Sequence, residues 1–264
     1  MRKNALRELI KAGKPSLGTH IACPWPTIIE IIGHSGVFDY VEFQAEYAPY
    51  DLFTLENMGR AIDTFDHLSG MIKIEQEPRT YIAAKALNSG FQNVLFADIR
   101  TVEDAREAVQ AARAETPGVG GRRGVAAGRD VGVVLEGGSP AFVQATKDTV
   151  VAIMIEKKEA VENLESILDV PGIDMVNFGP SDYSMSIGVP GQRNHPAVQE
   201  AEKYVIETAL RKGVIPRAET GGPDQMQRYL EMGVRHFCNG GDVWTLFHWC
   251  KENGGAMRRA LESL

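Results

Sequence analysis

Two short apolar runs in this chain each end in a carboxylate: Val151-Ala-Ile-Met-Ile-Glu156-Lys and Phe178-Gly-Pro-Ser-Asp182-Tyr-Ser. Between them lies a helix-length segment, Lys158 to Leu168, rich in Glu, Leu and Ile. If the runs are neighbouring parallel strands, Glu156 and Asp182 stand together at one edge of a sheet. There they could share a hard divalent cation such as Mg²⁺, which prefers oxygen ligands and keeps positions open for substrate. Gly179, in the Gly-Pro-Ser-Asp turn, lets a ligand approach the backbone closely. Two carboxylates alone are no metal fingerprint, and a pair of solvated loop residues remains the competing reading.

The elements that must position this pair alternate along the chain. Strand-length apolar runs occur at Ser16–Ile21, Asp39–Phe43, Met71–Ile74, Asn93–Phe96, Val150–Ile155, Met175–Phe178, Gly213–Pro216 and Arg235–Cys238. Most are separated by segments of helical period with recognisable ends. Thr101-Val-Glu-Asp resembles a capping box, followed by an apolar face at Val102, Ala105, Val109 and Ala112. Pro196 suits a first helical position and Gly213 a stop. This alternation points to an α/β fold, a single (β/α)8 barrel spanning 1–264. A doubly wound sheet is the alternative, but no G-x-G-x-x-G follows an early strand. In a barrel the strand ends would bring His20, Gln44 to Tyr47, Lys73, Asp98, Glu156, Ser181, Asp182, Arg217 and Asn239 to Asp242 to one mouth.

The totals exclude several classes. With 264 residues, 44% hydrophobic, the chain can bury a large core without staples. Its formal charge of −7 and lack of a basic block argue against a nucleic-acid partner. No run reaches the roughly 18 apolar residues of a membrane span. The N-terminus lacks a signal-peptide pattern, so a cytoplasmic location is expected. The three cysteines, Cys23, Cys238 and Cys250, form no C-x-x-C and read as reduced, mostly buried thiols. One stretch breaks the rhythm: residues 116–139 are rich in Gly and Arg, and Arg122, Arg123 and Arg129 could bind a substrate carboxylate or form a solvated flap.

The order of motifs resembles the HpcH/HpaI aldolase family of pyruvate aldolases. The resemblance rests on Gly36-Val-Phe-Asp-Tyr-Val, Arg123-Gly-Val, Ile155-Glu156 with Ala160-Val-Glu-Asn-Leu, and Gly179-Pro-Ser-Asp. It implies a TIM barrel of the phosphoenolpyruvate/pyruvate-domain type, in many members with the last helix exchanged between subunits. It also implies a homo-oligomer, a dimer, trimer or hexamer built as a trimer of dimers. A Mg²⁺, Mn²⁺ or Co²⁺ ion would sit on Glu156 and Asp182, chelating the carboxylate and keto oxygen of a 2-oxo acid and stabilising its enolate, which adds to an aldehyde. Ser181, with the backbone around Gly179, would hold the carboxylate, and Arg123 is a contact for the far end of the substrate.

The departures concern proton transfer. The family's Asp-x-Glu-His segment reads Gln44-Ala-Glu-Tyr47, so both members of its acid/base pair are replaced. Lys73 matches an arginine that supports the keto oxygen, Asn88 an Asp that reaches a neighbouring site, and Met154 a Gln. His20 takes the place of an aromatic residue and could be a relocated general base with an ordinary pKa, or a histidine bonded to loop backbone. Tyr47 could donate a proton to the alkoxide, or only shape the pocket. Lys73 could instead form a Schiff base. The expected activity is a metal-dependent carbon–carbon lyase cleaving or forming 4-hydroxy-2-oxo acids. Oxaloacetate-type decarboxylation and a non-catalytic barrel are the alternatives.

Overall fold

The computed structural model describes residues 2–263. Eight parallel strands close into a barrel in sequence order: β1 (Ser16–Ile21), β2 (Tyr40–Gln44), β3 (Ser69–Ile74), β4 (Asn93–Phe96), β5 (Val150–Ile155), β6 (Met175–Phe178), β7 (Ile215–Thr220) and β8 (His236–Gly241). The ring closes where Leu17 of β1 meets Phe237 of β8. Parallel strands buried on both faces need helices outside, and the intervening segments supply them. The helix Val102–Ala112 starts at Thr101 with the expected capping box. Pro196 opens the helix Pro196–Lys212, and Gly213 ends it in the left-handed conformation, at φ 74°.

The last two strands depart from the sequence reading. β7 runs on through Arg217-Ala-Glu-Thr220, four residues past the expected end at Pro216, and β8 continues to Gly241. Charged residues do not look like a strand interior. Here they are tolerated because alternate positions face the barrel lumen, where they pair with one another.

The lumen is layered. Its lower part is apolar, with Leu6, Met71, Leu95, Val150, Ala152 and Met175 packed together. Leu6 comes from the helix Ala5–Lys11, which closes the N-terminal face of the barrel. Arg7 of that helix holds Asp174, just before β6, through both guanidinium ends at 2.7 and 2.6 Å, and Asn4 reaches Asn93 at the start of β4 at 2.7 Å. With the bottom sealed, the C-terminal ends of the strands are the open side. A second apolar layer, containing Val41, Phe43, Ile72, Val94, Ile153 and Val176, joins the strands to the helical ring.

One expectation about the surface changes. Cys238 is buried, but Cys23 and Cys250 are exposed. No described helix is long and apolar enough to cross a membrane. The final helical stretch, from Asp242 onward, leaves Trp244, Leu246, Phe247 and Trp249 half or more exposed.

Candidate active site

Glu156 follows β5 directly and lies in the interior, 3% exposed. Its Oε1 accepts the backbone N–H of Asp98 at 2.8 Å. Asp98 adopts a left-handed backbone, φ 52°, which Asp tolerates better than most residues, and its own carboxylate is clamped by Arg100 at 2.9 and 2.8 Å. Glu156 Oε2 lies against Gly179, where an added Cβ would come within 2.7 Å of it. Gly179 is therefore required for space, at an ordinary negative φ, so that the Glu156 carboxylate can lie on the backbone of the next strand's turn. Asp182 sits in the first turn of the helix Pro180–Ser186, with Oδ1 held by Lys157 Nζ at 2.7 Å.

Among the described residues, neither Glu156 Oε2 nor Asp182 Oδ2 has a hydrogen-bond donor. Burial pushes the Glu156 carboxyl up to about 7, with Asp182 and Glu46 adding to the rise against the pull of Lys73. Two oxygen donors on adjacent strand ends, one of them short of positive charge, fit a hard divalent cation. The helix carrying Ser181 and Asp182 has no side-chain cap, so its first-turn amides are free to meet an anionic group.

A second grouping of ligand-type side chains, His20, Glu42 and Cys238, brings its atoms within 4.8 Å of one another. It suits a metal poorly. Glu42 is already paired with Arg217, both side chains fully buried, and burial pushes the Cys238 thiol up.

Lys73, at the end of β3, is 5% exposed. Its ammonium pairs with Glu46 at 2.7 Å and donates to the Tyr47 hydroxyl at 2.9 Å. Burial alone would lower its pKa, but Glu156, Tyr47, Glu46 and Glu219 around it raise it instead. Lys73 is therefore firmly protonated, contrary to what a Schiff base requires. The Tyr47 phenol goes up to about 12 because burial outweighs the neighbouring Lys73. Lys73 does not activate it as a base. Since Lys73 donates to the phenol oxygen, the proton of Tyr47 is left for another acceptor.

His20 is not a general base of ordinary pKa. Its Nδ1 lies 2.8 Å from the carbonyl oxygen of Gly240, which can only accept, so Nδ1 carries a proton. Its Nε2 faces Glu42 Oε1 at 3.4 Å and Glu219 Oε1 at 3.8 Å, where a lone pair would be repelled. Burial works against the charged form, yet Cys238, Glu219 and Glu42 together raise the pKa well above 6.5. His20 is an imidazolium, a proton donor rather than an acceptor.

Arg123 is placed away from this mouth in its own chain. It is bound to Asn88 at 2.9 Å and to Asp130 at 2.6 Å, stacks over Phe142, and lines a cavity of about 430 Å³ with Asp148 and Thr149. Those two residues precede β5, whereas Glu156 follows it, a separation of roughly 20 Å along the strand. Arg122 bonds Glu107 at 3.0 Å and Arg129 pairs with Asp63, so the arginine-rich loop is tied to the outer helices. Within its own chain Arg123 therefore does not meet the mouth where a far-end contact was expected of it. Glu42, Asn177 and Glu219 were missed: Glu42 lies within an apolar run, and the other two need the observed strand register to place them in the lumen.

A family model described as HpcH/HpaI aldolase/citrate lyase matches residues 18–248. The chain belongs to this family. It is 30% identical over 250 residues to a 4-hydroxy-2-oxo-heptane-1,7-dioate aldolase of Salmonella arizonae, covering 92% of this chain and 90% of that one. A family protein from Burkholderia cenocepacia J2315 superposes with a TM-score of 0.86 at 26% identity, covering 99% of both chains. An aldolase of the family from Desulfitobacterium hafniense DCB-2 also reaches 0.86, at 28% identity over 96% of each. The chain is thus an enzyme of the lyase type, of a family of class II aldolases that generally depend on divalent metal and act on small molecules.

Proposed function

We propose that this enzyme is a divalent-metal-dependent aldolase that cleaves or forms 4-hydroxy-2-oxo acids. The observation that carries the reading is the pair of donor-free carboxylate oxygens, Glu156 Oε2 and Asp182 Oδ2, beside the uncapped helix start at Ser181. Glu156 and Asp182 would hold a Mg²⁺, Mn²⁺ or Co²⁺ ion, which would supply the positive charge that makes the carbon beside the keto group of a 2-oxo acid acidic. Ser181 and Asp182 amides orient the substrate carboxylate. Lys73, kept charged by its neighbours, faces the negative charge that develops on the keto oxygen. In the condensation direction C3 gives up a proton and the new C3–C4 bond leaves an alkoxide; Tyr47 gives that alkoxide the proton that Lys73 leaves free, and the proton released from C3 returns through solvent at the open mouth to restore the phenol.

The exposed face of Trp244, Leu246, Phe247 and Trp249 supports a homo-oligomer in which the last helix packs on another copy. The test of the reaction is release of pyruvate from a 4-hydroxy-2-oxo acid by metal-loaded enzyme. Release should vanish on chelation and return with Mn²⁺; release insensitive to chelator would overturn the assignment.

A second reading rests on the acidic character of the mouth. With His20 an imidazolium and Tyr47 a phenol, no strong base faces the substrate hydroxyl. Decarboxylation of an oxaloacetate-like acid needs none. Turnover of oxaloacetate well above that of 4-hydroxy-2-oxo acids would favour it.

A further inference from the structure

The polar row that continues around the mouth from the metal pair is not used by the mechanism above. Asn177 on β6 and Glu219 on β7 are neighbours, and His20 reaches Glu219 from β1, one strand further on past β8, with Arg217 and Glu42 alongside. Glu219 uses one oxygen for all its protein contacts: Oε1 accepts from Asn177 Nδ2 at 3.1 Å and from Arg217 at 3.1 Å. Among the described residues Oε2 accepts from none, and the side chain is 38% exposed to the mouth. Asn177 is 1% exposed, and among the described residues its Oδ1 has no hydrogen-bond partner. Its amide orientation is fixed, because Nδ2 must be the atom that meets Glu219. One acceptor, Glu219 Oε2, therefore stands open to the mouth, while the unpaired Asn177 Oδ1 lies buried beside the same side chain.

The charges around Oε2 say what kind of donor it awaits. Glu219 is balanced by Arg217 and His20, so a third cation gains little there. A carboxylate gains nothing either. The cations of the mouth are already matched: Lys73 with Glu46, Lys157 with Asp182, Arg100 with Asp98, and Arg217 with Glu42. Arg123, the far-end cation expected from the sequence, lies at the other end of the barrel. What remains is a neutral group rich in N–H or O–H donors.

Resting on the proposed aldolase reading, we propose that Glu219 determines the specificity for the second reactant and that this reactant is a neutral, hydroxylated aldehyde. Glu219 Oε2 accepts a hydroxyl of the aldehyde chain, while Asn177 and Arg217, both on Oε1, fix the direction of the carboxylate. Sites built to bond a substrate hydroxyl reject analogues that lack it, because a bound analogue cuts the acceptor off from water and leaves it unpaired.

The experiment compares pyruvate condensation by the Mn²⁺-loaded enzyme with glyceraldehyde, propanal and succinic semialdehyde. Ratios of kcat/KM within one sample do not depend on the fraction folded. The wild type should favour glyceraldehyde over both others by roughly tenfold or more, the scale of one charge-assisted hydrogen bond. Glu219→Leu should shift the glyceraldehyde-to-propanal ratio about tenfold toward propanal. Glu219→Gln, which keeps an acceptor but not the charge, should chiefly relax the discrimination against succinic semialdehyde. A wild type that prefers the anionic aldehyde, unchanged ratios in both variants, or no condensation with any of the three would overturn the proposal. Metal-dependent deuterium exchange into pyruvate separates the causes. If the wild type exchanges, only this inference has failed; if it does not, the aldolase reading falls with it.

Discussion

Arg217 and Glu42 form an ion pair across the barrel lumen with both side chains fully withdrawn from solvent. Burial opposes charge on the Glu42 carboxyl, but Arg217 and then His20 hold its pKa below the usual range. Desolvation makes such a pair a poor source of net stability, yet losing one member leaves an uncompensated charge in the interior. Glu42→Gln should therefore destabilise the fold by about 3–5 kcal/mol. Replacing both residues by Met should recover much of that loss. Urea denaturation of the three proteins checks this, and a single variant within about 0.5 kcal/mol of wild type would contradict it.

Lys73 should resist trapping. An amine that forms an imine with a carbonyl must be neutral, and the carboxylates around Lys73 keep it charged. Borohydride added during turnover with pyruvate should give no mass increase on the peptide containing Lys73. A reduced pyruvyl adduct there would replace the metal reading by a Schiff-base one.

Gly179→Ala should damage the site without touching a ligand. The new methyl would lie 2.6 Å from Glu156 Cβ and 2.7 Å from its Oε2, and must displace that carboxylate. Metal affinity is expected to fall by at least tenfold, on the order of 1.4 kcal/mol, while the far-ultraviolet circular dichroism stays that of the barrel. Unchanged affinity by titration calorimetry would show that Glu156 Oε2 is not at the metal.

His236 gives a pH dependence that can be isolated. Burial lowers its pKa from 6.5 to about 4, and its Nδ1 lies 2.9 Å from Ser16 Oγ. The unfolded chain binds the proton first as pH falls, so the native state loses stability between about pH 6.5 and 4. The gap between wild type and His236→Gln should shift against wild type by up to about 3 kcal/mol over that window and be flat above it. Stability curves at several pH values test the sign; a gap that moves the other way would refute the burial argument.

How much of this was legible beforehand depended on what each residue packs against. The alternation of apolar runs and capped helices specified the barrel, because strand and helix periods are local. Glu156 and Asp182 drew notice because one directly follows such a run and the other stands four residues after one, in the first turn of the next helix. Glu219 was not, since β7 had to extend through four residues that look like a loop before the lumen could contain it. Glu42 sat inside an apolar run as if it were core, and only the partner from β7, 175 residues away, explains its presence. The protonation of His20 likewise depends on Gly240, Glu42 and Glu219, which the fold brings together from three other strands.

The most direct test of the metal-enolate chemistry is deuterium exchange at the methyl group of pyruvate in D₂O. The account predicts exchange with Mg²⁺ or Mn²⁺, its loss on adding EDTA, and its loss in Glu156→Gln and Asp182→Asn together with bound metal. Exchange that survives EDTA, or persists in both variants, would contradict it.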